Sequence, residues 1–188
     1  MNPKASALLV DPHPCGHIVY PYADRALLAQ AVCLYASAGL RKNEAVILIV
    51  RRDNCPAITG ALWQQGFDLQ SLQTTGQFNC LLAEEMLPHF MVDGMPDEEK
   101  FKALAEGWIG RARASVGSDQ KVPNIRAFGE MVCLLWNSNL RAAARLEELW
   151  GDLIKANSFS LLCSYELTGP APKTLATELV ACHAHNLA

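Results

Sequence analysis

Three groups of residues have types and spacing that could do chemistry. His13, Cys15 and His17 alternate along one short segment, and alternate side chains of an extended chain project to one side, where imidazole and thiol suit zinc or copper. His13 is flanked by Pro12 and Pro14 close to the start of the chain, which argues against a built site. His183 and His185 beside Cys182 sit near the other end, where histidines are commonly solvated, so no metal ligand set and no cofactor is assigned. The third group centres on Glu130, which follows Phe128-Gly129 and precedes Met131-Val132-Cys133. A carboxylate among such neighbours must find a partner or carry a raised pKa, and Arg126 on the same strand face is the candidate partner.

Several chemistries are excluded by what is missing. The 16 basic and 19 acidic side chains leave a net charge of −3 with the signs mixed along the chain, so no basic stripe exists for nucleic acid. No Gly-Lys pair occurs, and Tyr20-Pro21-Tyr22-Ala23-Asp24-Arg25, where a phosphate loop would lie, has neither glycine nor lysine. A G-x-G-x-x-G fingerprint and a G-x-S-x-G elbow are missing as well, and the reading is of a non-enzyme. The seven cysteines are an odd number with no C-x-x-C spacing, as expected of reduced thiols acting as small hydrophobes. Ala26 to Leu40, 15 residues, is among the longest uncharged stretches and falls short of the roughly 20 that a membrane helix needs. The opening apolar run is too short for a secretory signal, so the expected location is the cytoplasm.

These groups must be positioned by elements that the hydrophobic pattern announces. Strands are expected over Ile18–Tyr22, Glu44–Val50, Phe78–Ala83, Asn124–Val132 and Phe159–Tyr165, all rich in β-branched, aliphatic or aromatic residues. Helices are expected from the Asp24 cap to Gly39, from Asn54 with Pro56 to Gly66, from Asp97 to Gly117, through Leu146, Leu149, Trp150, Leu153 and Ile154, and over Thr174–His183. Strands alternating with helices of this length imply right-handed crossovers and a mostly parallel five-stranded sheet in a three-layer α/β/α sandwich. Residues 1–15 are expected to be a flexible lead-in and 16–188 a single domain.

Ligands of an open parallel sheet bind beyond the carboxyl ends of its strands. Those ends carry Tyr20 and Tyr22, Arg51 and Arg52, Glu84 and Glu85, Glu130, and Tyr165 and Glu166. Gly16-His17, Ala38-Gly39-Leu40 with Glu44, Phe90 to Asp97, Arg126 to Val132, Leu146 to Trp150 and Phe159 to Tyr165 follow one another in an order similar to the MEDS domain, the sensory domain of methanogen and methylotroph proteins and of DcmR. The resemblance covers nearly the whole chain. It implies a bacterial or archaeal signal-transduction module that senses small hydrocarbon derivatives, on a RecA/KaiC-like core without a phosphate loop. Family members often precede a kinase or a DNA-binding segment, whereas fewer than 25 residues follow Tyr165 here, so signalling through a separate kinase or transcription regulator, or through a homodimer, is expected.

The strand-end geometry and the matched motifs together place a small-organic-ligand pocket among His17, Tyr20, Arg126, Glu130 and Tyr165, with Phe128 and Trp136 as its apolar wall. Two alternatives stand beside it. One is a protein-interaction module without a ligand, and the other a degenerate RecA-like nucleotide-binding protein using Glu85 and Glu130 with a metal.

Overall fold

The computed structural model describes residues 3–116, 125–136, 138–167 and 185–186. Five strands, β1 (His17–Tyr22), β2 (Ala45–Val50), β3 (Phe78–Leu82), β6 (Ile125–Gly129) and β7 (Ser160–Glu166), form a wholly parallel sheet in the order β3-β2-β6-β7-β1, with a two-residue strand β8 (His185–Asn186) beside β1. The expected α/β class and five strands are therefore present. Parallel strands need covering on both faces, and the alternation along each strand divides the core accordingly. On one face Val19, Ile47, Ala127, Leu161 and Cys163 meet Trp108, Leu146 and Trp150. On the other face Ile18, Leu48, Phe128 and Leu162 meet Leu28, Tyr35 and Ile58.

The first face is covered by α6 (Glu98–Ser115), α7 (Met131–Trp136) and α8 (Leu140–Asn157), and the second by α1 (Pro3–Val10), α2 (Arg25–Arg41) and α3 (Cys55–Gln64). Polar side chains begin the long helices. Asp24 accepts from the amides of Ala26 and Leu27, Asp97 from that of Lys100, and Asn139 from that of Ala142.

Five elements differ from those expected. Within the segment expected to be flexible, Pro3–Val10 is helical, and its Leu9 is fully buried against the second face. The strand expected over Asn124–Val132 stops at Gly129. Glu130 donates its amide to the Ile49 carbonyl, and the apolar run Met131–Trp136 turns helical and is buried. A further helix, α4, spans Leu69–Thr75. Phe90 to Asp97 contains a small hairpin, β4 (Met91–Val92) and β5 (Met95–Pro96), whose turn Asp93-Gly94 has φ of 49° and 78°, the conformation that Asp-Gly hairpin turns adopt. The short helix α5 (Ala83–Met86) follows β3 directly. The helix expected over Thr174–His183 lies outside the described residues.

Arg126 is the largest fully buried side chain. Its guanidinium pairs with Glu44 and donates to the carbonyls of Leu9 at 2.9 Å, Tyr35 at 3.1 Å and Val10 at 3.0 Å. It thereby ties the carboxyl end of α1 to α2, β2 and β6, where a cation also meets the negative end of a helix dipole. Gly39 leaves the room for it, since a Cβ there would stand 2.7 Å from Arg126 Cδ and 2.8 Å from Nε. Within a helix, Gly→Ala ordinarily stabilises by about 0.5–1 kcal/mol. Here Gly39→Ala is expected to destabilise by about 1–3 kcal/mol through overpacking, and urea unfolding of the two proteins checks the sign.

Candidate functional site

The connections from β2 run over one face of the sheet and those from β6 over the other, although the two strands are neighbours. That reversal is the switch point at which open α/β sheets bind ligands. Glu130 follows β6 directly there and is fully buried. Its Oε2 accepts from the Arg51 amide at 2.8 Å, and its Oε1 accepts from Asn54 Nδ2 at 2.8 Å and from the Tyr22 hydroxyl at 3.3 Å. Burial raises the carboxyl above its ordinary value, and these three donors together with the Arg51 charge oppose the rise. The Tyr22 hydroxyl is pushed up by the same burial and by the Glu130 charge.

Charged groups close the outside of this network. Arg51 Nη1 donates to Glu166 Oε2 at 2.6 Å, and the guanidinium of Arg25 reaches Glu166 Oε1 at 3.3 Å, while hydrogen bonding to Arg51 holds the Glu166 carboxyl below its usual range. Two buried polar atoms at the carboxyl ends of the strands flanking β6, Arg51 Nε and Ser164 Oγ, have no hydrogen-bond partner among the described residues. A cleft of about 230 Å³ on the outside of α6 and α8, lined by Glu98, Phe101, Lys102, Leu149, Asp152 and Leu153 among others, touches none of these groups.

A second polar group is buried in the helix-covered face beneath α8. His17 Nε2 stands 3.3 Å from Glu147 Oε2 and 3.4 Å from Cys163 Sγ, and the Tyr165 hydroxyl donates to Glu147 Oε1. Trp136 packs on Tyr165 with ring centroids 5.3 Å apart. With this fold and these two polar groups in place, the sequence from residue 16 to 184 matches the family model for the MEthanogen/methylotroph, DcmR Sensory domain. The chain belongs to the MEDS family. No curated protein matches the sequence.

As a MEDS domain the molecule falls in a sensory family, and its expected pocket residues divide into separate places. His17, Trp136 and Tyr165 come together around Glu147 and Cys163 on one face. Phe128 is fully buried core on the opposite face, and Tyr20 is half-buried on that face. Arg126 is not the partner of Glu130. Four residues of a strand put their backbones about 13 Å apart, and the guanidinium is committed to Glu44 and three carbonyls at the amino end. Arg52 pairs with both Glu84 and Glu85, donating its amide to Glu84 at 3.1 Å and Nη2 to Glu85 at 2.9 Å.

Asn54 and Glu147 were not among the expected site residues. Asn54 occupies the N-cap position of α3, yet its side chain makes no capping bond and turns to Glu130 instead. Glu147 stands among apolar residues on the buried face of α8, and that placement is the signal that could have revealed it. Cys55 and Cys80, distant in sequence, have Sγ atoms 3.8 Å apart, and burial with the neighbouring thiol pushes Cys80 up to about 12.

Because the folded carboxyl of Glu130 titrates above the ordinary 4.5, the stabilising contribution of its protonated form is lost as pH rises from there through the folded value. Glu130→Gln stays neutral but cannot accept from all three donors. Its deficit is expected to be about 1–3 kcal/mol in acid and to shrink as pH rises, read by urea unfolding of both proteins at several pH values. A deficit that grows with pH would mean that the donors outweigh burial.

Proposed function

We propose that this MEDS domain is a non-enzymatic sensor that binds a small organic molecule at the β2–β6 switch point and reports to a separate signalling protein. One observation supports the site above all. The buried donors Arg51 Nε and Ser164 Oγ are left without protein acceptors among the described residues, on the strands either side of the fully buried Glu130. Buried polar atoms are nearly always satisfied, so surplus donors at a strand edge suit a ligand that brings an acceptor oxygen. Alcohols, carbonyl compounds and carboxylic acids have that feature. The Arg51–Glu166–Arg25 chain at the rim offers the means of response, because a ligand that draws Arg51 away from Glu166 leaves that carboxylate to Arg25 alone.

A thermal-shift and calorimetric screen of short alcohols, carboxylic acids, halocarbons and nucleotides against the whole chain is expected to yield a binder. Arg51→Ala should weaken it by about tenfold or more, the size of one charge-assisted hydrogen bond. No binder in any class, or a binder equally tight in Arg51→Ala and Glu130→Gln, overturns the reading.

A further inference from the structure

The second polar group is used neither by the switch-point site nor by the packing of an ordinary apolar face. His17 from β1, Glu147 from α8 and Cys163 from β7 each offer one ligand atom, and these atoms all lie within 4.8 Å of one another. The three residues are buried, with relative exposures of 6%, 1% and 1%. We infer that His17 Nε2, Glu147 Oε2 and Cys163 Sγ form a binding site for a divalent transition-metal ion of the zinc type.

Imidazole, carboxylate and thiolate are the three side-chain donors that zinc uses. Ligand atoms 2.0–2.3 Å from a tetrahedral ion stand about 3.3–3.8 Å from one another. His17 Nε2 already lies 3.3 Å from Glu147 Oε2 and 3.4 Å from Cys163 Sγ, so two of the three ligand separations fit such a polyhedron. The carboxylate is oriented from outside, because the Tyr165 hydroxyl donates to Oε1 and leaves Oε2 facing the histidine. Metal ligands are commonly aimed by an outer hydrogen bond of this kind, and Trp136 in turn packs on the Tyr165 ring.

Charge balance points the same way. A thiolate and a carboxylate side by side in a buried place are not tolerated without a counter-charge. A divalent cation supplies it: the thiol proton leaves to solvent as the sulfur–metal bond forms, and thiolate, carboxylate and cation sum to zero in a buried place. The side chain of His17 keeps 8% of its surface exposed. Three protein ligands leave a fourth position for water or a small exogenous ligand. This site stands apart from the switch-point reading, and either can fail without the other.

Cobalt(II) titration of the chelator-treated full chain tests it, with zinc as competitor. One equivalent of cobalt is expected to give the sulfur-to-metal charge-transfer band and the visible bands of a tetrahedral thiolate site, zinc to remove both, and zinc to raise the Tm. Cys163→Ser should abolish the charge-transfer band, His17→Gln should weaken cobalt binding by at least about tenfold, and Cys15→Ser should change neither. Absence of the band at one equivalent, or its survival in Cys163→Ser, overturns the site. If Cys163→Ser does not fold, His17→Gln decides, and unchanged affinity there is equally fatal.

Discussion

Taking an ionised side chain out of water costs several kcal/mol unless partners surround it, and this fold buries one at each end of the β2–β6 pair. At the amino end the Arg126 guanidinium is enclosed by Glu44 and the carbonyls of Leu9, Val10 and Tyr35. At the carboxyl end the Glu130 carboxylate is enclosed by the Arg51 amide, Asn54 and Tyr22. Each set draws residues from elements far apart in sequence, so neither charge is satisfied until the strands are in order and the helices are laid over them. The amino-end charge holds α1 to the sheet. The carboxyl-end group organises the polar surface at the β2–β6 switch point.

The two polar centres share one strand. Successive residues of β7 point to opposite faces, so Cys163 and Tyr165 serve the cluster under α8, whereas Ser164 lies on the far face and Glu166 reaches the rim held by Arg51. Parallel strands buried on both faces are normally continuous hydrophobic runs, and β7 departs from that rule at Ser160, Ser164 and Glu166. Ser160 at the amino end bonds Tyr35, and the other two fall at the carboxyl end of the strand. Polar groups there are tolerated only because helices from both layers supply Glu147 and, through Arg25, a counter-charge.

Much of the fold was legible in the residues. Unbroken aliphatic runs such as Ala45–Val50 can be covered only on both faces, and Asp24, Asp97 and the Pro56 turn start helices by purely local physics. The importance of Glu130 was legible too, because a carboxylate between glycine and an apolar run has few ways to be stable. The family followed from ordered motifs along the chain, and it covers residues 16–184. What could not be read locally was partnership. Arg126 and Glu130 share a strand and have opposite charge, yet they serve opposite ends of the sheet.

Local sequence therefore determined which segments are strand and helix, that the sheet is parallel, and which charges would need company. The tertiary structure alone decided who keeps them company. The hydrogen bonds that satisfy Glu130 span 76 and 108 residues to Asn54 and Tyr22, and the contact between His17 and Cys163 spans 146. No periodicity records such pairings, because they arise from the strand order β3-β2-β6-β7-β1 and from crossovers that carry distant segments to neighbouring strands. Asn54 shows the same principle at one residue: its local chemistry is that of a helix cap, but a buried carboxylate without enough donors outweighs a cap that water can replace.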